Sequence, residues 1–355
     1  MTGRWMIYGA TGYTGRLVVE EAVRRGLAPV LAGRDAGRLD ALARPLGLET
    51  RAVALDDPRR LAQALEGIQV VLNAAGPFAA TALPIALACL ATGAHYVDLT
   101  GEIPVFATLH RLDAAARMRG ILLLPGAGFI LVPSDCLVAH TASRLPGALW
   151  LRLGISRSSL VSRGSARTML DLIGDGAWIC RNGQLASLPW SQAERQIDYG
   201  YGARPALVVS WADVFTASGT TGIPNVETCL EVGPWEQWSF QTSRRFSWLL
   251  RTPPWQTALR MQADLLPEGP TAAQRAQDRR ILVAVAGDAA GRTVVSRLKT
   301  PDAYGFTAVA AMECVLRVLG GGLPPGFQTP ARVFGADFVL GLPGVVREDV
   351  GTLTP

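Results

Sequence analysis

Seven residues near the start of the chain, Gly9-Ala10-Thr11-Gly12-Tyr13-Thr14-Gly15, constrain the fold more than any other stretch. Glycine recurs at every third position. The loop follows the apolar run Trp5–Tyr8 and precedes Leu17–Arg25, whose Leu17, Val18, Ala22 and Val23 have helical spacing. A strand that turns through such a loop into a helix asks something different of each glycine. Gly9 takes the tight turn, Gly12 lets a pyrophosphate approach the backbone, and Gly15 lets helix and strand pack closely. The helix N-terminus presents N–H groups and the positive end of its dipole to the phosphates. Thr11 and Thr14 add hydroxyl donors, and the loop, Tyr13 included, is the candidate dinucleotide cradle.

The alternation continues to residue 125. Pro29–Ala32, Arg51–Leu55, Val70–Asn73, His95–Asp98 and Ile121–Leu124 read as strands; Leu39–Leu46, Leu61–Leu65, Leu83–Ala91 and Phe106–Met118 read as helices. This predicts an α/β domain over 1–125, a Rossmann-type doubly wound parallel sheet with helices on both faces. After Pro125 the rhythm changes. Trp150–Ser156, Ala206–Val209 and Ile281–Ala286 look like strands, and Ser165–Ile173 and Ala308–Leu319 like helices, separated by turn-rich stretches. A second α+β domain, for substrate binding or dimerisation, is expected over 126–325, with 326–355 returning to the first domain. Trp235–Trp255 gathers four tryptophans, Phe240, Phe246 and three arginines, and reads as core or oligomer contact, substrate lid or membrane-surface helix.

Composition removes other classes. With 49% apolar and 18% charged residues among 355, the chain can bury a core large enough to offset its ordering entropy. The net charge is +5 without a dense basic run, which argues against nucleic-acid binding. Five widely spaced cysteines without a CxxC pair, and three dispersed histidines, argue against a disulfide framework and a zinc site. The greasiest stretch, 121–138, is broken by Pro125, Gly126, Gly128 and Pro133 and carries Asp135, so it does not read as a membrane span. With no leader-like opening before the strand at Trp5, a soluble cytoplasmic protein is expected.

The choice of dinucleotide rests on the end of the second strand. There an NAD enzyme carries a carboxylate for the ribose 2′-hydroxyl. This chain reads Leu31-Ala32-Gly33-Arg34-Asp35: a small residue at that position and then an arginine, whose guanidinium can grip a 2′-phosphate. NADP(H) is the expected cofactor, with Asp35 also suited to cap the next helix. Asp56, at the end of the third strand, is a candidate partner for the adenine amino group. Asn73, Ala75, Gly76 and Pro77, at the end of the fourth, are candidates to meet the ribose and phosphate.

With these residues in hand, the chain resembles the saccharopine dehydrogenase-like oxidoreductases, which include saccharopine reductases and trans-acting enoyl reductases. The resemblance lies in the Gly9–Gly15 loop, Ala32-Gly33-Arg34, Asn73–Pro77, Gly93–Glu102, and Gly128-Phe129 with Val132-Pro133-Ser134-Asp135, and more weakly in Arg297–Tyr304 and Pro325–Pro330. It implies a Rossmann domain, an inserted substrate domain and NADP(H) use. Where many relatives carry Gly-Phe-Asp, Ile130 follows Gly128-Phe129, so a polar group at the mouth of the site is absent.

A reduction by hydride also needs a proton source. Candidates past the fifth and sixth strands are Glu102, Tyr96 and Asp135, with His95 and Asp98 beside them and Gly128, Phe129 and Ser134 toward the substrate. Each has a plainer role: Glu102 as a helix N-terminal charge, Asp135 as a cap, Tyr96 or His95 as packing. The Tyr-x-x-x-Lys pair of short-chain dehydrogenases is excluded, because the single lysine, Lys299, has Val295 four positions before it. The expected function is NADPH-dependent reduction of a C=C or C=N bond in an apolar small molecule, by a homodimer. The alternatives are a non-catalytic NADP(H)-binding scaffold or sensor, and a synthase that uses bound NADP without net redox change.

Overall fold

The computed structural model describes residues 3–158, 160, 162–164, 176–234, 237, 261, 265 and 267–353. The chain divides into two compact units: 1–132 with 303–335, and 133–302 with 336–355.

In the first unit β1 (Trp5–Tyr8), β2 (Val30–Gly33) and β4 (Val70–Asn73) are buried along their whole length. That is the pattern of strands covered on both faces, where every side chain meets a helix. They alternate with α1 (Tyr13–Arg24), α2 (Ala36–Ala43), α3 (Pro58–Ala64) and α4 (Phe78–Thr92), with β3 (Thr50–Ala52) between α2 and α3. Then come β5 (His95–Asp98), α5 (Ile103–His110), α6 (Asp113–Arg119) and β6 (Leu122–Leu124). After the second unit's long insertion, α10 (Ala303–Leu319), β15 (Gly326–Phe327) and α11 (Pro330–Phe334) return. The sheet order is β15-β6-β5-β4-β1-β2-β3, and every pairing is parallel. The doubly wound fold is therefore present as expected. The order reverses at β1, beside the glycine loop, which is where ligands meet such sheets.

Several boundaries differ from expectation. The helix expected over Phe106–Met118 is two helices, α5 and α6, divided at Arg111-Leu112. The third strand ends at Ala52, so Asp56 lies in the turn that follows it. The helix expected over Ala308–Leu319 starts at Ala303 and belongs to the first unit rather than the second. The divisions fall after Val132 and after Asp302 instead of near 125 and 325. Residues 336–355 do not stay with the first unit. They supply β16 (Val346–Leu353), which pairs with β14 (Thr293–Pro301) in the second.

The second unit opens with α7 (Val132–Ser143) and β7 (Trp150–Ile155), followed by β8 (Gly176–Arg181), β9 (Gln184–Pro189), β10 (Glu194–Asp198) and β11 (Ala203–Val208). Next are α8 (Asp213–Thr221), β12 (Asn225–Glu231), α9 (Ala272–Gln277), β13 (Arg279–Gly287) and β14. The sheet runs β10-β11-β12-β7-β13-β14-β16, with β8 paired to β12 and β9; β12 and β7 are parallel and the rest antiparallel. Ile179, Leu188, Ile197, Tyr199, Val208, Cys229 and Val283 build its core. Gly154 on β7 makes room for it, since a Cβ there would lie 2.9 Å from Ile197. Glu227 ties β12 to Arg152 of β7 and to Arg195 of β10, the latter at 2.7 Å. The helix expected over Ser165–Ile173 lies outside the described residues, apart from its flank, as does Trp235–Trp255 apart from Gln237. Among the described residues no helix is long and apolar enough to cross a membrane. The five cysteines are free and buried.

Asp213, the first residue of α8, is wholly buried. Burial pushes its carboxyl up to about 8; the Ser134 hydroxyl opposes the shift and nearby Asp135 adds to it. An aspartate in the unfolded chain titrates near 4. Between the two values the folded chain holds a proton that the unfolded chain has released. The contribution of this group to stability is therefore complete below about pH 4 and is lost as pH rises through about 8. In Asp213→Asn the fall in urea midpoint between about pH 5 and pH 8.5 should be smaller than in the wild type. An equal fall in both would show that another group titrates.

Candidate functional site

The glycine loop joins β1 to α1 as the spacing requires. Gly9 has φ +86°, and a Cβ there would lie 2.7 Å from the Ala75 nitrogen and 2.8 Å from its Cα. Only glycine meets both demands, a left-handed backbone and contact with the turn after β4. A Cβ on Gly15 would collide with the Gly9 carbonyl oxygen, so the third glycine seats the helix on the loop. Gly12 differs. It is exposed, has ordinary φ, and meets nothing nearer than 3.4 Å. It stands at the N-cap of α1 and, as glycine, offers the first turn no side-chain hydrogen bond. The loop is therefore shaped by its backbone: two glycines that cannot carry a side chain and a third with open space beside it.

Arg34 follows β2 and is exposed, while Asp35 caps α2 by accepting the Arg38 N–H at 3.0 Å. Arg34, Ala52, Val53, Ala54, Asp56, Asp57 and Arg60 line a cleft of about 280 Å³. Arg34 and Asp56 are thus brought together. Tyr8 supports the cleft, its hydroxyl donating to the Val53 carbonyl at 3.0 Å. Burial raises the phenol's pKa, with Arg34 and Asp56 as the charges that act on it in opposite senses. Sequence reading missed Arg60, because a second arginine in a helix's first turn carries no motif. It also missed the role of Tyr304, whose ring stands edge-on to Tyr13 at 5.4 Å and 82°, at the first turn of α1.

The end of β4 is shaped from beneath. Asn73 is buried, so its side chain is not a ligand contact as expected; it builds the turn. Its Oδ1 accepts the Ala75 N–H at 3.0 Å, and its Nδ2 donates to Thr81 Oγ1 at 3.1 Å and to the Tyr96 hydroxyl at 3.2 Å. Ala75 is half-buried, and Gly76 and Pro77, joined by a cis peptide, are exposed beyond it.

The acid–base candidates separate. Tyr96 is wholly buried and its hydroxyl donates to Asp98 Oδ2 at 2.7 Å, so it cannot meet a substrate; burial and Asp98 hold its pKa well above the usual range. Asp98 is buried too. Its Oδ1 accepts the N–H groups of Thr100 and Gly126, each at 2.9 Å, and burial pushes its carboxyl up to about 6. His95 accepts the Leu122 N–H at Nδ1, 2.9 Å, and burial lowers its pKa. Glu102, the leading candidate for proton donor, is half-buried and caps α4. Its Oε1 accepts the Phe78 N–H at 3.0 Å and its Oε2 the Ala79 N–H at 2.8 Å. The plainer reading of a helix-terminal charge thus holds, but for α4 rather than for α5, which Glu102 itself precedes.

Gly128 and Phe129 are also buried and leave little surface to a substrate. A Cβ on Gly128 would meet Thr307, whose Oγ1 accepts the Phe129 N–H at 3.0 Å, and the Phe129 ring packs edge-on against Phe306 at 5.9 Å. Ile130 is the half-buried residue of this loop and lies against Gly101. Ser134 and Asp135 belong to the second unit and are buried. Asp135 lies inside the first turn of α7, past the position of a cap, and its Oδ1 accepts the Thr220 hydroxyl at 2.9 Å. Among the described residues no group of three or more His, Cys, Asp or Glu side chains is placed to hold a metal.

Residues 5–123 match the family model of the saccharopine dehydrogenase NADP binding domain. The chain is 30% identical over 165 residues to the human saccharopine dehydrogenase-like oxidoreductase, a stretch that covers 41% of this chain and 38% of that protein. It is 38% identical over 140 residues to the trans-acting enoyl reductase of Mycobacterium leprae, covering 37% of this chain and 33% of that one. The chain thus spans between a third and two fifths of the length of these relatives. Saccharopine dehydrogenase (L-Glu forming) from Saccharomyces cerevisiae has the same fold, with a TM-score of 0.66 at 11% identity over 99% of this chain and all of that one. Homospermidine synthase from Legionella pneumophila, solved in complex with NAD, aligns equally well, at 0.66 and 11% over 99% and 92%. The class is a two-unit dinucleotide-binding protein. Its residues 5–123 are similar to the NADP binding domain of saccharopine dehydrogenase, which makes NADP(H) the cofactor.

Two outcomes follow from this geometry. Gly12→Ala should keep its thermal midpoint within about 2 °C, since the new methyl has room. It should lose NADPH affinity about tenfold or more, measured by tryptophan fluorescence, because the methyl occupies ligand space; unchanged affinity would place the pyrophosphate elsewhere. Glu102→Ala should cost about 1 kcal/mol in urea unfolding, the worth of a helix cap. Glu102→Gln, which keeps one acceptor, should lose less.

Proposed function

We propose that the chain is an NADPH-dependent reductase of a C=C or C=N bond in an apolar small molecule. The observation that carries this reading is the N-terminus of α1 opened by the exposed Gly12, which has no side-chain cap bond, with Arg34 exposed past the neighbouring strand. When bound, NADPH supplies a hydride. The backbone of Gly9, Gly12 and Gly15, with Thr11, Tyr13 and Thr14, holds the pyrophosphate at the helix end. Arg34 grips the 2′-phosphate, Asp56 meets the adenine, and Ala75, Gly76 and Pro77 bear the ribose and phosphate. The hydrocarbon side chain of Ile130 suits an apolar acceptor better than a charged one, because it offers a carboxylate or ammonium no hydrogen bond. The likeness to a protein named trans-acting enoyl reductase supports a C=C acceptor.

The proton comes from water in this reading. Tyr96 and Asp98 are locked in a buried network, Glu102 holds the end of α4, and Asp135 takes the Thr220 hydroxyl. The same engagements favour a second reading, a protein that binds NADP(H) without turning it over. The two are separated by incubating the chain with NADPH and a panel of α,β-unsaturated thioesters and cyclic imines. The reductase reading expects substrate-dependent loss of NADPH absorbance, with Glu102→Gln keeping most of the turnover. Tight binding with no consumption across the panel would favour the binder, and loss of turnover in Glu102→Gln would restore Glu102 as the acid.

A further inference from the structure

We propose that Arg60 is a second ligand of the 2′-phosphate, so that NADP(H) selectivity rests on two guanidinium groups where the sequence announces one. The proposal rests on the reading of Arg34 as the first.

Arg34 comes from the turn after β2 and Arg60 from the first turn of α3, yet both line the same cleft of about 280 Å³. The parallel pairing of β2 with β3 brings their following turns side by side. Both side chains are exposed, and neither makes a hydrogen bond or ion pair among the described residues. Nearby arginines behave differently. Arg51 pairs with Glu49 at 3.0 Å and donates to the Ala64 and Glu66 carbonyls, and Arg4 also pairs with Glu49. Two of the acids around the cleft are engaged by backbone N–H groups and not by the two guanidiniums. Asp35 is used by the Arg38 N–H, and Asp57 accepts the N–H groups of Arg59 and Arg60 at 3.0 and 3.1 Å. Asp56 and Asp57 are the two carboxylates of the lining, and neither is paired with a guanidinium of the cleft among the described residues.

Two like charges facing one cleft repel each other, a repulsion that solvent and the two lining carboxylates temper in the free protein. A phosphate dianion removes that repulsion and accepts from both forks, which a ribose hydroxyl cannot do. The walls between them are Ala52, Val53 and Ala54, which leave space instead of filling it. A guanidinium in such a cleft has one other use, to stack on the adenine face. That contact is blind to the 2′-phosphate, so binding measurements tell the two apart.

The experiment measures dissociation constants of NADPH and NADH for the full chain, with adenosine 2′,5′-bisphosphate as a competing probe, in wild type, Arg34→Ala, Arg60→Ala and Arg60→Lys. Arg60→Ala is expected to weaken NADPH and the bisphosphate about tenfold or more, the worth of one charge-assisted hydrogen bond, with NADH changed less than about twofold. Arg60→Lys, which keeps the charge and loses the fork, should fall between. Unchanged NADPH affinity in Arg60→Ala overturns the proposal, and so does an equal loss for NADPH and NADH. Selective loss in Arg34→Ala with none in Arg60→Ala removes Arg60 alone. A wild type that binds NADPH and NADH alike brings down the 2′-phosphate reading of the cleft and Arg60 with it.

Discussion

A buried carboxylate holds the ligand-facing edge of the first unit together. Asp98 receives N–H groups from the turn after β5 and from the loop after β6, and a hydroxyl from Tyr96. Tyr96 in turn accepts from Asn73, Asn73 fixes the Ala75 N–H, and Ala75 is the surface against which Gly9 folds. The line runs through hydrogen bonds and one backbone contact from the loop after β6 to the glycine cradle, crossing three adjacent strands. Its members are wholly buried where they are polar, so each partner lost leaves an unsatisfied group in a dry interior. The residues that looked most like acid–base machinery are the ones that keep the loops in place.

This explains which parts of the site were legible in the sequence. The cradle could be read because its constraint is local: Gly9 and Gly15 forbid a side chain for reasons set within a few residues and one neighbouring turn. Arg34 and Asp56 could be read because the ends of parallel strands converge on one edge. Tyr96 and Glu102 could not be assigned correctly, because their partners lie at the start of α4, far along the chain from Glu102, and beneath the sheet edge. A residue type and a position name a chemistry; they do not say whether the group's lone pairs are already engaged. Arg60 was hidden for the converse reason. Nothing in its neighbourhood in the chain marks it, and its meaning comes from the cleft it shares with Arg34.

The fold shows the same division. In the first unit β1, β2, β4 and β6 are mainly apolar runs and lie within about a residue of the expected positions, whereas β3, Thr-Arg-Ala, ends three residues early. The second unit's strands alternate: β14 reads Thr-Val-Val-Ser-Arg-Leu-Lys-Thr-Pro, with Ser296 buried and Lys299 paired to Glu348 of β16. Polar residues inside a strand and charged ones along it blur the hydrophobic signal that reveals a strand. The same pairing took 336–355 away from the first unit. Its edge at β14 needed covering, and the last strand of the chain was available to do so.

The chain enters each unit twice, and this bears on the order in which the protein can be made. As it leaves the ribosome, the first unit has six of its strands by residue 124 but lacks α10, which packs on α1, and the edge strand β15. Both arrive after the whole of 133–302 has been synthesised. The second unit in turn waits for β16, which follows the returning elements of the first. Neither unit can be finished while the other is still to be made, so the half-built sheets must coexist, each with an open edge, until residues 303–353 have emerged. A protein assembled this way ties the completion of its nucleotide-binding unit to the presence of its companion.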